Sequence, residues 1–257
     1  LKTAIVLSGG GAKGAFQVGA IKHLTQMGVT YDAIYGTSVG ALNAAAIAFK
    51  GIDYTEAQWL TIEGRSDVLS FNWLTLLGLS KGVYNMNPLK EYLEQTVQGA
   101  PACEAVVCKV SLLTGEIVYS KASVESHADF IKSTMQSATI PFVMDPLDNF
   151  ADGGMREQTP LKKAIEDGYE KIIAILCNPI SDVADPWPEP KGFFKQVKYG
   201  LRGVDLLEHE VFVTDLQSGN YNAEITWYAP DKLLIDTLEF DPVKIRAAMK
   251  QGYDAVK

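Results

Sequence analysis

The chain has 257 residues, 47% hydrophobic and 21% charged, the balance of an ordinary soluble protein with a sizeable core, and a single domain over 1–257 is expected. A net charge of -8 and a pI near 5.0 argue against a nucleic-acid partner or a broad footprint for anionic lipid, leaving only a local basic patch at Lys191, Lys195, Lys198 and Arg202. No run of about 18 apolar residues is present to span a bilayer.

In chain order, Lys2 to Leu7 reads as a strand closed by Gly9, Gly10 and Gly11, and Ala12 to Met27 as a helix. Val29 to Gly36 repeats the strand and Ala41 to Phe49 the helix, giving a β-α-β-α opening on a parallel sheet. A helical stretch near Tyr54 to Gly64 precedes an unusually apolar segment, Val68 to Leu79. A helix over Pro88 to Gln98 is expected, with Asn87 as its cap. Glu104 to Leu113 and Glu116 to Lys121 form a hairpin about Thr114-Gly115, and His127 to Ser137 is helical. A short apolar stretch, Asn149 to Ala151, runs into Asp152-Gly153-Gly154. A helix over Pro160 to Asp167 and a buried strand over Lys171 to Cys177 follow. The proline-bearing stretch Asp182 to Lys191 reads as an extended loop and Phe193 to Leu216 as helical. The chain closes on strands near Ile225 to Tyr228 and Leu233 to Leu238 and a helix from Pro242. Cys103, Cys108 and Cys177 are an odd set without metal-ligand spacing and read as buried thiols. The first residue is Leu1 rather than Met, the expectation being a trimmed or tagged start, so a targeting segment upstream is not legible.

Two local patterns carry chemistry. The loop Ser8 to Gly14 opens a helix, so its amides converge where negative charge binds: a dinucleotide, a nucleotide phosphate or the oxyanion of an acyl transfer. Gly9, Gly11 and Gly14 satisfy the dinucleotide fingerprint, but the second strand ends in Gly36-Thr37-Ser38 rather than an acid, and Asp32 lies at its start. A P-loop fails because Ala15 follows Gly14. The second pattern, Gly36-Thr37-Ser38-Val39-Gly40, pins a serine at a strand-to-helix turn, the way a hydroxyl is held for attack on an acyl carbon. Among the histidines, His23 and His127 read as packing or capping residues. His209, with Ser38 and Asp152, would reproduce the chain order of a hydrolase triad. Asp152 is itself either a base or a residue that turns the chain before Gly153.

Taken together and in this order, Gly9 to Gly14, Gly36 to Gly40 and Asp152-Gly153-Gly154 resemble the patatin-like phospholipases, which share a core with cytosolic phospholipase A2. Gln136 to Pro141 and Thr159-Pro160-Leu161 agree, and the likeness runs from about Thr3 to Asp167. The resemblance implies a mostly parallel α/β sheet wrapped by helices in three layers. It implies a Ser38–Asp152 dyad, an oxyanion hole from Gly9, Gly10, Gly11, Ala12 and Gly14, and support from Gly36, Gly40, Gly153 and Gly154. It also implies hydrolysis of fatty-acyl esters without metal or cofactor. Ser8 stands where plant patatins carry aspartate, a change that backbone donors tolerate.

Burial must raise the Asp152 carboxyl for it to serve as a base. Lys13 is either a lipid-phosphate ligand or, more readily, a packing residue. Leu69, Phe71, Trp73, Leu74, Leu76, Leu77 and Leu79 form either core or a lid, and the aromatic-basic run Phe193 to Arg202 is a second membrane-facing candidate. The expected partners are a lipid or fatty-acyl ester substrate and, transiently, a membrane surface, for a cytoplasmic protein peripheral at membranes. Oligomeric state is left open. The competing readings are a His-dependent α/β-hydrolase and a lipid-binding scaffold without turnover.

Overall fold

The computed structural model describes residues 1–71, 84–141, 143–180 and 222–257, together with 202–203, 206–207, 209–211 and 213–214. Trp73 to Leu79, the stretch 182–191 and Phe193 to Leu201 with Lys191, Lys195 and Lys198 lie outside the described residues, as does the side chain of Phe71.

The strands are β1 (Thr3–Leu7), β2 (Ala33–Thr37), β3 (Ser70–Phe71), β4 (Tyr84–Asn85), β5 (Glu104–Ser111), β6 (Ile117–Lys121), β7 (Phe150–Asp152), β8 (Lys171–Ile175) and β9 (Glu224–Tyr228). The helices are α1 (Ala15–Gln26), α2 (Val39–Lys50), α3 (Ile52–Leu60), α4 (Asn87–Thr96), α5 (His127–Ser137), α6 (Leu161–Glu166) and α7 (Pro242–Ala255). Among the described residues the central sheet runs β6-β5-β2-β1-β8-β9, with β7 also paired to β5. Strands β5, β2, β1, β8 and β9 are parallel, whereas β6 and β7 run antiparallel to β5.

Strand alternation divides two cores. Ile5, Leu7 and Ile34 face a large cluster with Phe16, Leu24, Ala44, Leu93, Phe130 and Met249 from the helices, while Ala4, Val6 and Tyr35 face Leu161 and Ala164 of α6. With helices on both faces, the central strands need continuous apolar runs, as in Ala4 to Leu7 and Ile172 to Ile175. The result is the expected three-layer α/β/α arrangement around a mixed, mostly parallel sheet.

Several boundaries differ from the expectation. The glycine loop closes as a 3-10 turn over Gly11–Gly14 before α1 begins at Ala15. Helix α4 starts one residue early, with Met86 at its cap, and the Asn85 side chain accepts from Asn87 N–H instead. No strand forms over Leu233 to Leu238. Asp236 accepts the Thr237 N–H at 2.7 Å on its side chain and the Glu239 N–H at 3.1 Å on its carbonyl, so the segment turns. No helix among the described residues is long and apolar enough to cross a membrane.

Candidate active site

Ser38 is the single residue between β2 and α2, and this brevity forces its conformation: φ 56 and ψ -123, a left-handed value rare for a side-chain-bearing residue. The flanking glycines make the turn possible. A Cβ on Gly36 would lie 2.1 Å from the Gly40 carbonyl oxygen, and one on Gly40 would lie 2.6 Å from that of Leu7. The Ser38 N–H donates to Ser137 Oγ at 3.0 Å, and the Ser137 hydroxyl in turn donates to the Cys108 carbonyl. Its own carbonyl accepts from Ala41 and Leu42 N–H, so the positive end of α2 points at the turn.

Asp152 ends β7, which runs beside β5 where β2 stops. Thr37 pairs with Cys108 and Asp152 with Lys109, the next rung of the same strand. The carboxyl is buried, 1% exposed, and Oδ1 accepts from Gly154 N–H at 2.8 Å. Oδ2 has no hydrogen bond of ordinary geometry among the described residues. The Ser38 hydroxyl is nevertheless close enough to this carboxylate to act on its acidity. Burial pushes Asp152 up to about 6, and the hydrogen bonds from Ser38 and Gly154 hold it from rising further. A Cβ on Gly153 would lie 2.5 Å from the Cys108 carbonyl oxygen, so glycine there lets the chain leave β7 against β5.

The glycine loop lies alongside: a Cβ on Gly9 would come within 3.2 Å of Ser38 Cβ. Of the loop amides expected to hold an anion, two are already engaged, Gly9 N–H by the Gln158 carbonyl at 3.0 Å and Ala12 N–H by the Thr237 carbonyl at 2.8 Å. Gly14 lies inside the 3-10 turn, where a Cβ would lie 2.5 Å from Val39 Cγ2. Gly10 and Gly11, at φ 152 and 58, have amides with no acceptor among the described residues. A buried polar network backs the loop. Gln17 Nε2 donates to the carbonyls of Ser8 and Ile175, Asn43 Nδ2 donates to Gly14 and to Gln17 Oε1, and Trp59 Nε1 donates to Asn43 Oδ1. The residue types alone gave no sign of this network, because Gln17, Asn43 and Trp59 lie on three different helices up to 42 positions apart. Ser8 is also structural, its hydroxyl accepting from Cys177 N–H and donating to the Gly9 carbonyl.

Ser38 opens on an apolar cavity of about 200 Å³ whose walls include Val39, Leu42, Trp59, Leu69, Leu238 and Phe240. Leu69, expected in core or lid, is 4% exposed and belongs to this wall. A larger cleft of about 490 Å³, lined by Lys109, Glu125, Asp129 and Lys132, is polar and does not include Ser38.

Other expected groups fall elsewhere. Lys13 is 5% exposed and donates to Asn178 Oδ1 at 2.7 Å, a packing role. His23 stacks on Tyr253 and bonds its carbonyl, and His127 bonds the Gly99 carbonyl. His209 is half-buried in a helical stretch, and the groups that set the acidity of Asp152 include no imidazole. Cys108 and Cys177 are buried and Cys103 half-buried, all as free thiols. Burial pushes Cys177 up to about 12 and Cys103 up to about 11. No group of three His, Cys, Asp or Glu able to hold a metal occurs among the described residues.

Known proteins are similar to this chain in sequence. Lysophospholipase nte1 of Aspergillus terreus is 54% identical over 44 residues, 17% of this chain and 3% of that protein. Patatin-like phospholipase domain-containing protein 7 of Mus musculus is 28% identical over 184 residues, 67% of this chain and 13% of that protein. An uncharacterized NTE family protein of Mycobacterium bovis is 26% identical over 178 residues, covering 66% and 29%. The chain therefore spans less than a third of each of these relatives. The patatin-like phospholipase family profile matches residues 5–165, more than half of the sequence and the part that holds the glycine loop, the Ser38 turn and Asp152, and the chain belongs to that family.

Proposed function

We propose that this chain hydrolyses fatty-acyl esters of lipids, as a phospholipase A or lysophospholipase-type esterase, with Ser38 as nucleophile and Asp152 as general base. The observation that carries this reading is a strained serine that lines an apolar cavity and whose hydroxyl is near enough to the buried Asp152 carboxylate to act on its acidity.

A carboxyl near 6 cannot generate a free alkoxide, so the proton passes to Asp152 as Ser38 Oγ bonds to the ester carbon. The carbonyl oxygen takes the negative charge within reach of the Gly10 and Gly11 amides. A donor of this kind is worth about 2.7–4 kcal/mol in the transition state. Collapse expels the alcohol, which regains a proton from Asp152, and leaves an acyl-enzyme on Ser38. Water then attacks that ester, giving its proton to Asp152, and Ser38 leaves with the proton returned. The apolar cavity receives the acyl chain while the rest of the lipid stays outside, which is what a soluble domain meeting a membrane surface transiently requires.

Treatment with a fluorophosphonate followed by peptide mass mapping tests the nucleophile, with an adduct on Ser38 as the expected result. A panel of phospholipids, lysophospholipids and acylglycerols then defines the substrate, with Ser38→Ala and Asp152→Asn as controls. No adduct under conditions that label a reference serine hydrolase would leave a lipid-binding scaffold as the better reading, and loss of turnover in His209→Gln with the fold intact would favour a triad.

A further inference from the structure

The family match ends at residue 165, yet the site does not. Residues 236–240, which overlap the end of the strand expected over Leu233 to Leu238, lie against the glycine loop and contribute Leu238 and Phe240 to the cavity wall. The Thr237 carbonyl accepts Ala12 N–H at 2.8 Å, and the fit is tight: a Cβ on Gly11 would lie 2.1 Å from that oxygen. One residue on, the Leu238 carbonyl accepts two hydrogen bonds from Arg65, through Nε at 2.9 Å and Nη2 at 2.6 Å. Arg65 also donates Nη1 to the Tyr84 hydroxyl at 3.1 Å. Consecutive carbonyls are thus held by two different segments, the glycine loop and the turn after α3. The next turn is held as well, because Asp241 caps α7 through Val243 and Lys244 N–H. Helix α7 packs so closely on α1 that a Cβ on Gly19 would lie 1.8 Å from the Met249 carbonyl oxygen.

A short turn fixed at this many points presents its side chains rigidly, and the two it turns inward are apolar: Leu238 and Phe240 both line the cavity that holds Ser38. We infer that Leu238 and Phe240 are specificity-determining residues that set which acyl chains reach Ser38, and that the Thr237 carbonyl positions the glycine loop. This rests on the assignment of Ser38 as nucleophile. The family-matched residues supply the reacting groups, and the turn beyond them sets the length and girth of chain admitted.

The test compares kcat/KM for p-nitrophenyl esters from four-carbon to sixteen-carbon acyl chains in the native chain, Leu238→Ala and Leu238→Trp. Leu238 is only partly buried, so both variants are compatible with the fold, and thermal melting checks this. Removing the side chain is expected to raise the long-to-short ratio by about tenfold, the discrimination a pocket obtains from a methylene or two, and the tryptophan to lower it by a similar factor. Opposite shifts cannot come from a general loss of structure. Ratios within about twofold of native in both variants, with Ser38 still labelled by fluorophosphonate, would overturn this inference alone. A native chain that shows no label on Ser38 removes the nucleophile and the inference together.

Discussion

Thr37 and Asp152 occupy consecutive rungs on one edge of β5, arriving from opposite directions: Thr37 opposite Cys108 at the end of β2, Asp152 opposite Lys109 at the end of β7. The next residue after Thr37 is Ser38, so two strand ends separated by 115 positions meet head to head and bring Ser38 beside the end of β7 that carries Asp152. Because both are strand termini, neither position depends on a long loop. Asp152→Asn keeps the Oδ1 acceptor for Gly154 and removes only the charge. Turnover in a lipid or p-nitrophenyl ester assay is expected to fall by about 10²–10⁴-fold, the usual contribution of a general base, with far-UV circular dichroism unchanged.

The backbone at Ser38 carries a conformation that costs about 1–3 kcal/mol for a residue with a Cβ. Ser38→Ala keeps the Cβ and therefore the strain, whereas Ser38→Gly releases it and gives back part in chain entropy. The glycine variant is expected to be more stable than the alanine variant by about 1 kcal/mol, or roughly 2–4 °C in Tm for a chain of this size. Both should be inactive. Equal melting temperatures would mean that the turn is not strained.

The acidity of Asp152 predicts two pH dependences. As a base it must be ionised, so kcat/KM is expected to fall about tenfold per pH unit below about 6. Stability runs the other way. Burial raises the folded carboxyl from 3.8 to about 6, so the folded state holds this proton more tightly than the unfolded chain, and the contribution is fully present below about 3.8 and lost as pH rises through about 6. The loss amounts to something on the order of 3 kcal/mol. Asp152→Asn should therefore be more stable than native at pH 7.5 by urea denaturation, and the advantage should vanish near pH 4.

The motifs were legible as residue types at fixed spacing, although only part of their geometry is local. Gly36 answers to the Gly40 carbonyl within the same turn, whereas Gly40 and Gly153 answer to the Leu7 and Cys108 carbonyls on neighbouring strands. Helix α5 was legible to the residue, with Ser126 as its cap accepting from Asp129 N–H. Leu233 to Leu238 misled because the short apolar run Leu233-Leu234-Ile235 has the composition of a strand, yet β9 already ends the described sheet and Asp236 bonds its neighbours. Its real partners, Arg65 and Ala12, lie more than 170 positions away, and no local pattern announces them. The occupied amides of Gly9 and Ala12 were hidden likewise, since their acceptors come from Gln158 and Thr237.

Gln17 offers a test of how far the loop depends on what lies behind it. Its side chain is fully buried, donates to the Ser8 and Ile175 carbonyls and accepts from Asn43, yet it is not part of the cavity wall. Gln17→Met conserves shape and removes those bonds, leaving buried carbonyls and the Asn43 amide short of partners, at about 1–3 kcal/mol for each group left unsatisfied. Urea denaturation should register that loss. The kinetic effect is more diagnostic: with the acyl cavity untouched, KM should stay near native while kcat falls, because the Gly10 and Gly11 amides are held in place through the Ser8 carbonyl. Trp59→Phe alters the same network but also a wall of the cavity, so there KM should rise as well. A Gln17→Met enzyme with native kcat would show that the glycine loop keeps its shape without the network behind it.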